Sequence, residues 1–404
     1  MRKKPLTMVA TLVVAIGALT VPAAAASAAP DPGPATAPAG AAATNCRDEA
    51  AKAAPAATQA KKTQTICFTR RPAAGIPTAT RKASGAGTLA VPSWCVFDTW
   101  VFQRMETCMM ERGWLEIYKL HCVVGICTPR WTGDIEVISR YYSKTYSSNG
   151  AWSLSAEMEA VTARGTGVNG AWLSAQFGCD GPCYAESNNF PQQFLSAGGT
   201  VSGEGWLRTS LGPYSERRFA HGNVLFTAIP AGGGFQGQHF QSVATETRCD
   251  SIASFTQGCA FPAAWPVFGI AAWLHPEVAR HVELAQASGL AGDYPLTRLQ
   301  NEPRIQQNRY TSCHPNVPRP PGKQCDEFPF ASTYEGAAMF GPDAGRTFYG
   351  CLMDHLPAGI EGPLGWSACM VDADDNGGAG IDLKAFYFDN RVIDGDKFYV
   401  EVDR

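Results

Sequence analysis

The chain has 404 residues, 45% of them hydrophobic and 17% charged, with a formal net charge of −3. That length exceeds the size at which a single hydrophobic core stops growing, so two folded domains are expected. The charge balance excludes a strongly basic nucleic-acid carrier.

In chain order, Arg2, Lys3 and Lys4 precede an apolar run over 6–21 and the small residues Ala26, Ser27, Ala28 and Ala29. This is the order of a secretory signal peptide, assigned to 1–28. The run is shorter than the roughly 20 residues of a membrane span, and no later stretch is long enough, so a soluble, secreted, extracellular protein is expected. A retained anchor is the alternative. All 14 cysteines follow the signal, an even number that suits an oxidising compartment. Zinc is the rival use, but Cys179 with Cys183 and Cys122 with Cys127 lack histidines at finger spacing. Of the possible disulfides, Cys249 with Cys259 and Cys351 with Cys369 close the cheapest loops.

Residues 29–91 are rich in Ala, Pro, Thr and Gly and poor in large apolar side chains, which predicts a flexible leader with one tether at Cys46 and Cys67. From 92 to 264 the pattern becomes short alternating runs between Gly, Asn and Ser turns, at 131–142, 151–161, 171–177, 201–211 and 224–228. This predicts an antiparallel all-β, sandwich-like domain. Trp94, Trp100, Trp114, Trp131, Trp152, Trp172 and Trp206 are assigned mainly to its core, with a stacking platform for sugars or bases as the alternative. From 265 to 404 an α+β domain is expected. Val278, Val282 and Ala285 mark an amphipathic helix over 275–287, with Pro276 in its first turn and Gly289 at its stop. Residues 394–402 read as a turn feeding a strand.

The densest polar stretch is 325–337, Cys-Asp-Glu-Phe-Pro-Phe-Ala-Ser-Thr-Tyr-Glu-Gly-Ala. Carboxylates set among Phe, Pro and Phe suggest acids fixed on a buried shoulder, where they could hold a metal or move protons. The alternative is an acidic surface turn. The stretch resembles the Asp-Glu-aromatic-Pro core and following Glu-Gly of the NucA/NucB deoxyribonuclease family. His281-Val282 on a helix, Asn376 followed by Gly377, Gly378, Ala379 and Gly380, and the closing segment 390–400 agree with it in order, over about residues 265–404.

The resemblance implies a secreted endonuclease of low sequence specificity that acts on DNA and needs Mg²⁺ or Mn²⁺. Its implied catalytic set is Asp326, Glu327, His281, Glu335 and Asn376, with Asp326 and Glu327 on the metal. The chemistry is consistent: phosphodiester hydrolysis builds negative charge that a hard cation held by carboxylates can offset. Histidine as a residue type suits the removal of a proton from water, which points to His281, although a carboxylate could do this, and a packed helix histidine is the alternative. Neighbours on a strand point to opposite faces, so Asp326 and Glu327 should not both reach one metal; Asp326 is favoured as the acting group.

Asp372-x-Asp374-x-Asn376-Gly377 fits the start of a calcium loop, but Leu383 stands where the bidentate Glu belongs. Residues 265–404 carry 11 Lys plus Arg against 19 Asp plus Glu, which opposes DNA binding unless a local basic face compensates. Arg309, Lys384 and Arg391 are the candidates. The competing reading is a secreted binding or adhesion protein whose β domain carries the function and whose nuclease-like domain is inactive. Neither a membrane nor an immunity or inhibitor protein is indicated as a partner.

Overall fold

The computed structural model describes residues 46–48, 50–51, 64–70, 92–123, 126–212, 217–242, 246–252 and 256–404. The expected signal peptide lies outside them. Thirteen strands come first: β1 (Gln64–Arg70), β2 (Val101–Phe102), β3 (Glu106–Val123), β4 (Ile126–Tyr146), β5 (Asn149–Gly165), β6 (Ala171–Asp180), β7 (Cys183–Asn189), β8 (Gln193–Leu195), β9 (Thr200–Thr209), β10 (Arg217–Pro230), β11 (Gly237–Ser242), β12 (Thr247–Asp250) and β13 (Gly258–Ala260).

They form two sheets. One runs β1-β3-β4-β5-β9-β7 with β2 on β3; the other runs β13-β12-β10-β6-β8 with β11 on β10. All pairings between these strands are antiparallel. β10 shows why: from Ala220 onward every second residue is buried, so Val224, Phe226 and Ala228 face inward. Between the sheets Trp152, Leu154 and Met158 of β5 meet Leu173 and Phe177 of β6 in one apolar core. The expected sandwich-like, all-β region is present.

Two expectations need correction. The segment 29–91 is not a leader throughout, because 64–70 is a strand paired with β3 and buries Ile66, Cys67 and Phe68. The apolar run is too short to register in a composition dominated by Ala, Pro and Thr. It fits because β3 has a glycine where Phe68 crosses: a Cβ on Gly113 would lie 2.3 Å from Phe68 Cζ. Of the tryptophans assigned to the core, Trp152 is fully buried, whereas Trp131 and Trp172 are exposed at 47% and 42%. Trp131 lies beneath Arg164, and Trp172 pairs with Phe194.

The C-terminal region alternates β14 (Val267–Ala271), helix α1 (Pro276–Ala287), β15 (Leu296–Thr297), α2 (Glu302–Ser312), β16 (Lys323–Phe328), β17 (Gly345–Arg346), β18 (Trp366–Asp372), α3 (Ala373–Asp389) and β19 (Lys397–Asp403). Two small mixed sheets, β14-β19-β15 and β16-β18-β17, pack with α1 and α3 around a second core that includes Phe268, Val282, Phe328, Tyr387 and Phe398. This is the expected α+β arrangement.

α1 matches its predicted bounds: Pro276 occupies the first turn, Val278, Ala279, His281, Val282 and Ala285 are buried, and Gly289 follows with φ 99°. The motif at 372–377 starts α3 instead of a calcium loop. The Asp372 carboxylate accepts the Asp374 and Asp375 N–H groups at 2.9 and 3.4 Å, so it is committed to capping the helix. All 14 cysteines are paired, in disulfides 46–67, 95–108, 122–127, 179–183, 249–259, 313–325 and 351–369. Among the described residues no helix is long and apolar enough to cross a membrane.

Candidate functional site

β16 pairs with β18 only, opposite Cys369 and Ala368 at Asp326 and Glu327, which leaves it an edge strand. A cavity of about 780 Å³ opens there, lined by β16, α2, α3 and the turn after β16. Asp326 and Glu327 both line it. The two carboxylates thus share a cavity of this size along a free strand edge, which does not require both to reach one metal.

Asp326 is 8% exposed, and its Oδ2 lies 2.6 Å from Nδ1 of His281. His281 is fully buried, and its Nε2 lies 3.0 Å from Ser367 Oγ, which in turn reaches the Phe328 carbonyl at 3.3 Å. Both ring nitrogens are therefore engaged, and His281 does not line the cavity. This corrects its assignment as the base toward water. Its contact with Asp326 Oδ2 restrains that carboxylate's rotamer.

Glu327 is only partly buried by surface area, yet it sits deep among apolar neighbours. Burial first, and the adjacent charge of Asp326 second, push its carboxyl up to about 7, while Arg309 and the Ala331 N–H pull the other way. Its Oε1 accepts Ala331 N–H at 3.3 Å. Its Oε2 lies 3.5 Å from Cys313 Sγ, but that sulfur belongs to the 313–325 disulfide and has no proton to donate.

Asn376, on the first turn of α3, reaches the same cavity and donates to Gln324 Oε1 at 3.0 Å. The helix can approach because it is glycine-rich on its other side: a Cβ on Gly378 would stand 2.5 Å from His275 Cε1. Arg309 of α2 and Lys384 of α3 line the cavity. Arg298 and Arg319, which sequence reasoning missed, join them. Four cations thus face Glu302, Asp326 and Glu327, so the acidity of the whole region does not extend to this surface. Arg298 also stacks on Tyr387, 4.0 Å from the ring centroid, and donates to Ser332 O at 3.1 Å.

Two further expected site residues also lie elsewhere. Glu335 does not line the cavity; its Oε2 accepts the Thr297 N–H at 2.9 Å and holds a turn. Arg391 is fully buried and paired with Asp250 of β12, so it cannot meet a substrate phosphate. A charge count along the sequence cannot separate such a cation from an exposed one.

Residues 291–401 match the family model described as Deoxyribonuclease NucA/NucB. The match contains Asp326, Glu327, Asn376, Arg309 and Lys384 and begins beyond His281. No curated protein matches the chain. A solved structure, that of a mutant Salmonella alpha-2-macroglobulin, is similar over 35% of this chain and 8% of its own, at 11% identity and a TM-score of 0.19. That likeness carries no argument.

Proposed function

We propose that this protein is a secreted deoxyribonuclease that hydrolyses phosphodiester bonds with little sequence preference and needs Mg²⁺ or Mn²⁺. The observation that carries the reading is the cavity in which Asp326, Glu327 and Asn376 face four cations, within the stretch that resembles the NucA/NucB deoxyribonucleases.

The residues present fit a hard divalent cation. Mg²⁺ is usually held by one or two carboxylates and leaves its other positions to water and phosphate, whereas Ca²⁺ takes six to eight oxygens. Here two carboxylates and one amide oxygen share the cavity, and among the described residues no group of three His, Cys, Asp or Glu converges. Asp326 and Asn376 would hold the cation, which supplies charge neutralisation on the phosphate oxygens.

His281 keeps Asp326 aimed at the cavity. Glu327, whose Oε2 accepts no N–H or O–H among the described residues, takes the proton from the attacking water. Arg309 and Lys384 bind the flanking phosphates, and with no base-reading groove required this binding tolerates any sequence. Seven disulfides suit an oxidising, extracellular setting.

The test is incubation of the purified protein with plasmid DNA in Mg²⁺, Mn²⁺ or EDTA, beside Asp326→Asn and Glu327→Gln. These variants are preferable to alanine, because removing the Asp326 side chain strands a buried histidine. Each should lose at least about 10²-fold in activity. Undiminished cleavage in EDTA, or by both folded variants, rejects the mechanism. A folded protein that cuts nothing with either metal favours the binding reading.

A further inference from the structure

Three guanidinium groups and the Asp250 carboxylate are buried, with the half-buried Asp396 beside them, where the sandwich meets the C-terminal region. Arg104, between β2 and β3, donates from Nε to Asn390 O at 2.7 Å and from Nη2 to Arg391 O at 2.8 Å and Asp396 Oδ2 at 2.5 Å. Arg248 of β12 donates to both Asp396 oxygens at 2.6 Å and to Arg391 O at 2.7 Å. Arg391 reaches back across the junction to Asp250, to Thr256 O at 3.1 Å and to Ser147 O.

These contacts converge on residues 390–396, the C-terminal end of α3 and the loop after it. The last carbonyls of a helix have no partner inside it. At the end of α3, Arg391 adopts φ 44°, a left-handed conformation that usually falls to glycine, and Arg104 and Arg248 supply donors to its carbonyl. Backbone N–H groups of Asn390, Val392 and Arg391 close the last carbonyls of α3 at Phe386, Tyr387 and Phe388. The sandwich's side chains fix the carbonyls that follow at Asn390 and Arg391, so the helix that presents Asn376, Lys384 and Tyr387 runs into a loop held from the sandwich. The loop's other face reaches the cavity directly: Asp396 O accepts Arg298 N–H at 2.8 Å, and Arg298 O accepts Gly395 N–H at 2.9 Å. Arg298 stacks on Tyr387 in the cavity wall.

We propose that the sandwich is a working part of the catalytic unit, and that Arg104 and Arg248 are positioning residues. They fix loop 390–396 and, through it, the wall formed by Arg298, Lys384 and Tyr387. The family match spans 291–401 only, so this contribution comes from outside it. The proposal rests on the deoxyribonuclease reading for its activity readout, and on backbone protection for a readout that does not.

The experiment uses the full chain. Arg104→Gln leaves two cations facing two carboxylates, so the buried charge stays balanced; Arg104→Lys is the second variant, keeping an ion pair with Asp396 but giving up the multiple carbonyl bonds. Arg208→Gln, which removes an Arg208–Glu186 pair on the sandwich surface, is the control. Cleavage of a fluorogenic duplex DNA is measured well below each variant's unfolding temperature, with amide hydrogen exchange over 294–300 and 380–400. In both Arg104 variants kcat should fall at least about tenfold with KM within about twofold, the pattern of misplaced groups and not of lost binding. Protection should fall in both segments, and Arg208→Gln should match wild type in both readouts. If Arg104→Gln does not fold, Arg104→Lys decides alone. A folded Arg104 variant with wild-type kcat and wild-type exchange overturns the proposal, as does a loss of stability with kcat intact. If the wild-type protein cuts no DNA, the nuclease reading fails, and exchange still decides: lost protection at 298–300 upholds the positioning role and unchanged protection rejects it.

Discussion

Replacing Glu327 by glutamine should stabilise the protein near and above neutral pH in the absence of metal. The folded protein holds this carboxyl at about 7 against an ordinary value of 4.5, chiefly by burial and secondly by the charge of Asp326. Because the folded value is raised, the stabilising contribution is complete below about pH 4.5 and is lost as pH rises through about 7. Each pH unit in that window is worth about 1.36 kcal/mol, so the wild-type protein gives up about 3 kcal/mol that Glu327→Gln retains. The assay is urea denaturation of both proteins in EDTA at pH 4 and pH 8. The two should be nearly equal at pH 4, and the variant should be ahead by up to about 3 kcal/mol at pH 8. A difference that does not change with pH, or a variant less stable at pH 8, refutes the claim that the ionised carboxylate is held against its own solvation.

Other outcomes follow from the same geometry. Arg391→Ala should lose about 1.5–3 kcal/mol in denaturant unfolding, because it strips buried Asp250 of its charge-assisted hydrogen bonds while Arg248 still faces it at 3.3 Å; a loss below about 1 kcal/mol contradicts its role at the junction. Arg309→Ala and Lys384→Ala, each made in the Asp326→Asn background, should weaken DNA binding and lower the salt slope by about one phosphate apiece. A salt slope unchanged in both places the phosphates elsewhere. Thiol titration under denaturing, non-reducing conditions should find no reactive cysteine, and several per chain would contradict the disulfide set.

What the sequence disclosed depended on whether a physical signal is local. The alternation of β10 and the stripe of α1 are local, and both elements appear where they were expected. Asp326 and Glu327 stood out because acids rarely adjoin Phe and Pro, which reports their burial. α3 was illegible: its first half carries Gly377, Gly378 and Gly380, poor helix formers that the Asp372 cap and packing against His275 override. His281 could be placed on a helix, but not beneath a sheet with both nitrogens occupied. Arg298, Arg319 and Arg391 differ only in what folds against them, and no window around any of them reports that. The reach of Asp326 and Glu327 into one cavity required knowing that β16 is an edge strand.

The disulfides have a further consequence for how the chain is made. Each cysteine is bonded to the next one along the sequence, with separations of 4 to 21 residues and no crossing. A chain threaded through a pore from its N-terminus therefore delivers every thiol's correct partner before any wrong one. An oxidant that joins thiols in order of arrival would produce the native set with nothing to reshuffle. By the same connectivity, no covalent bridge joins the sandwich to the C-terminal region. Reduction would loosen each region separately, and the charged junction around Asp396 would remain to hold them in register.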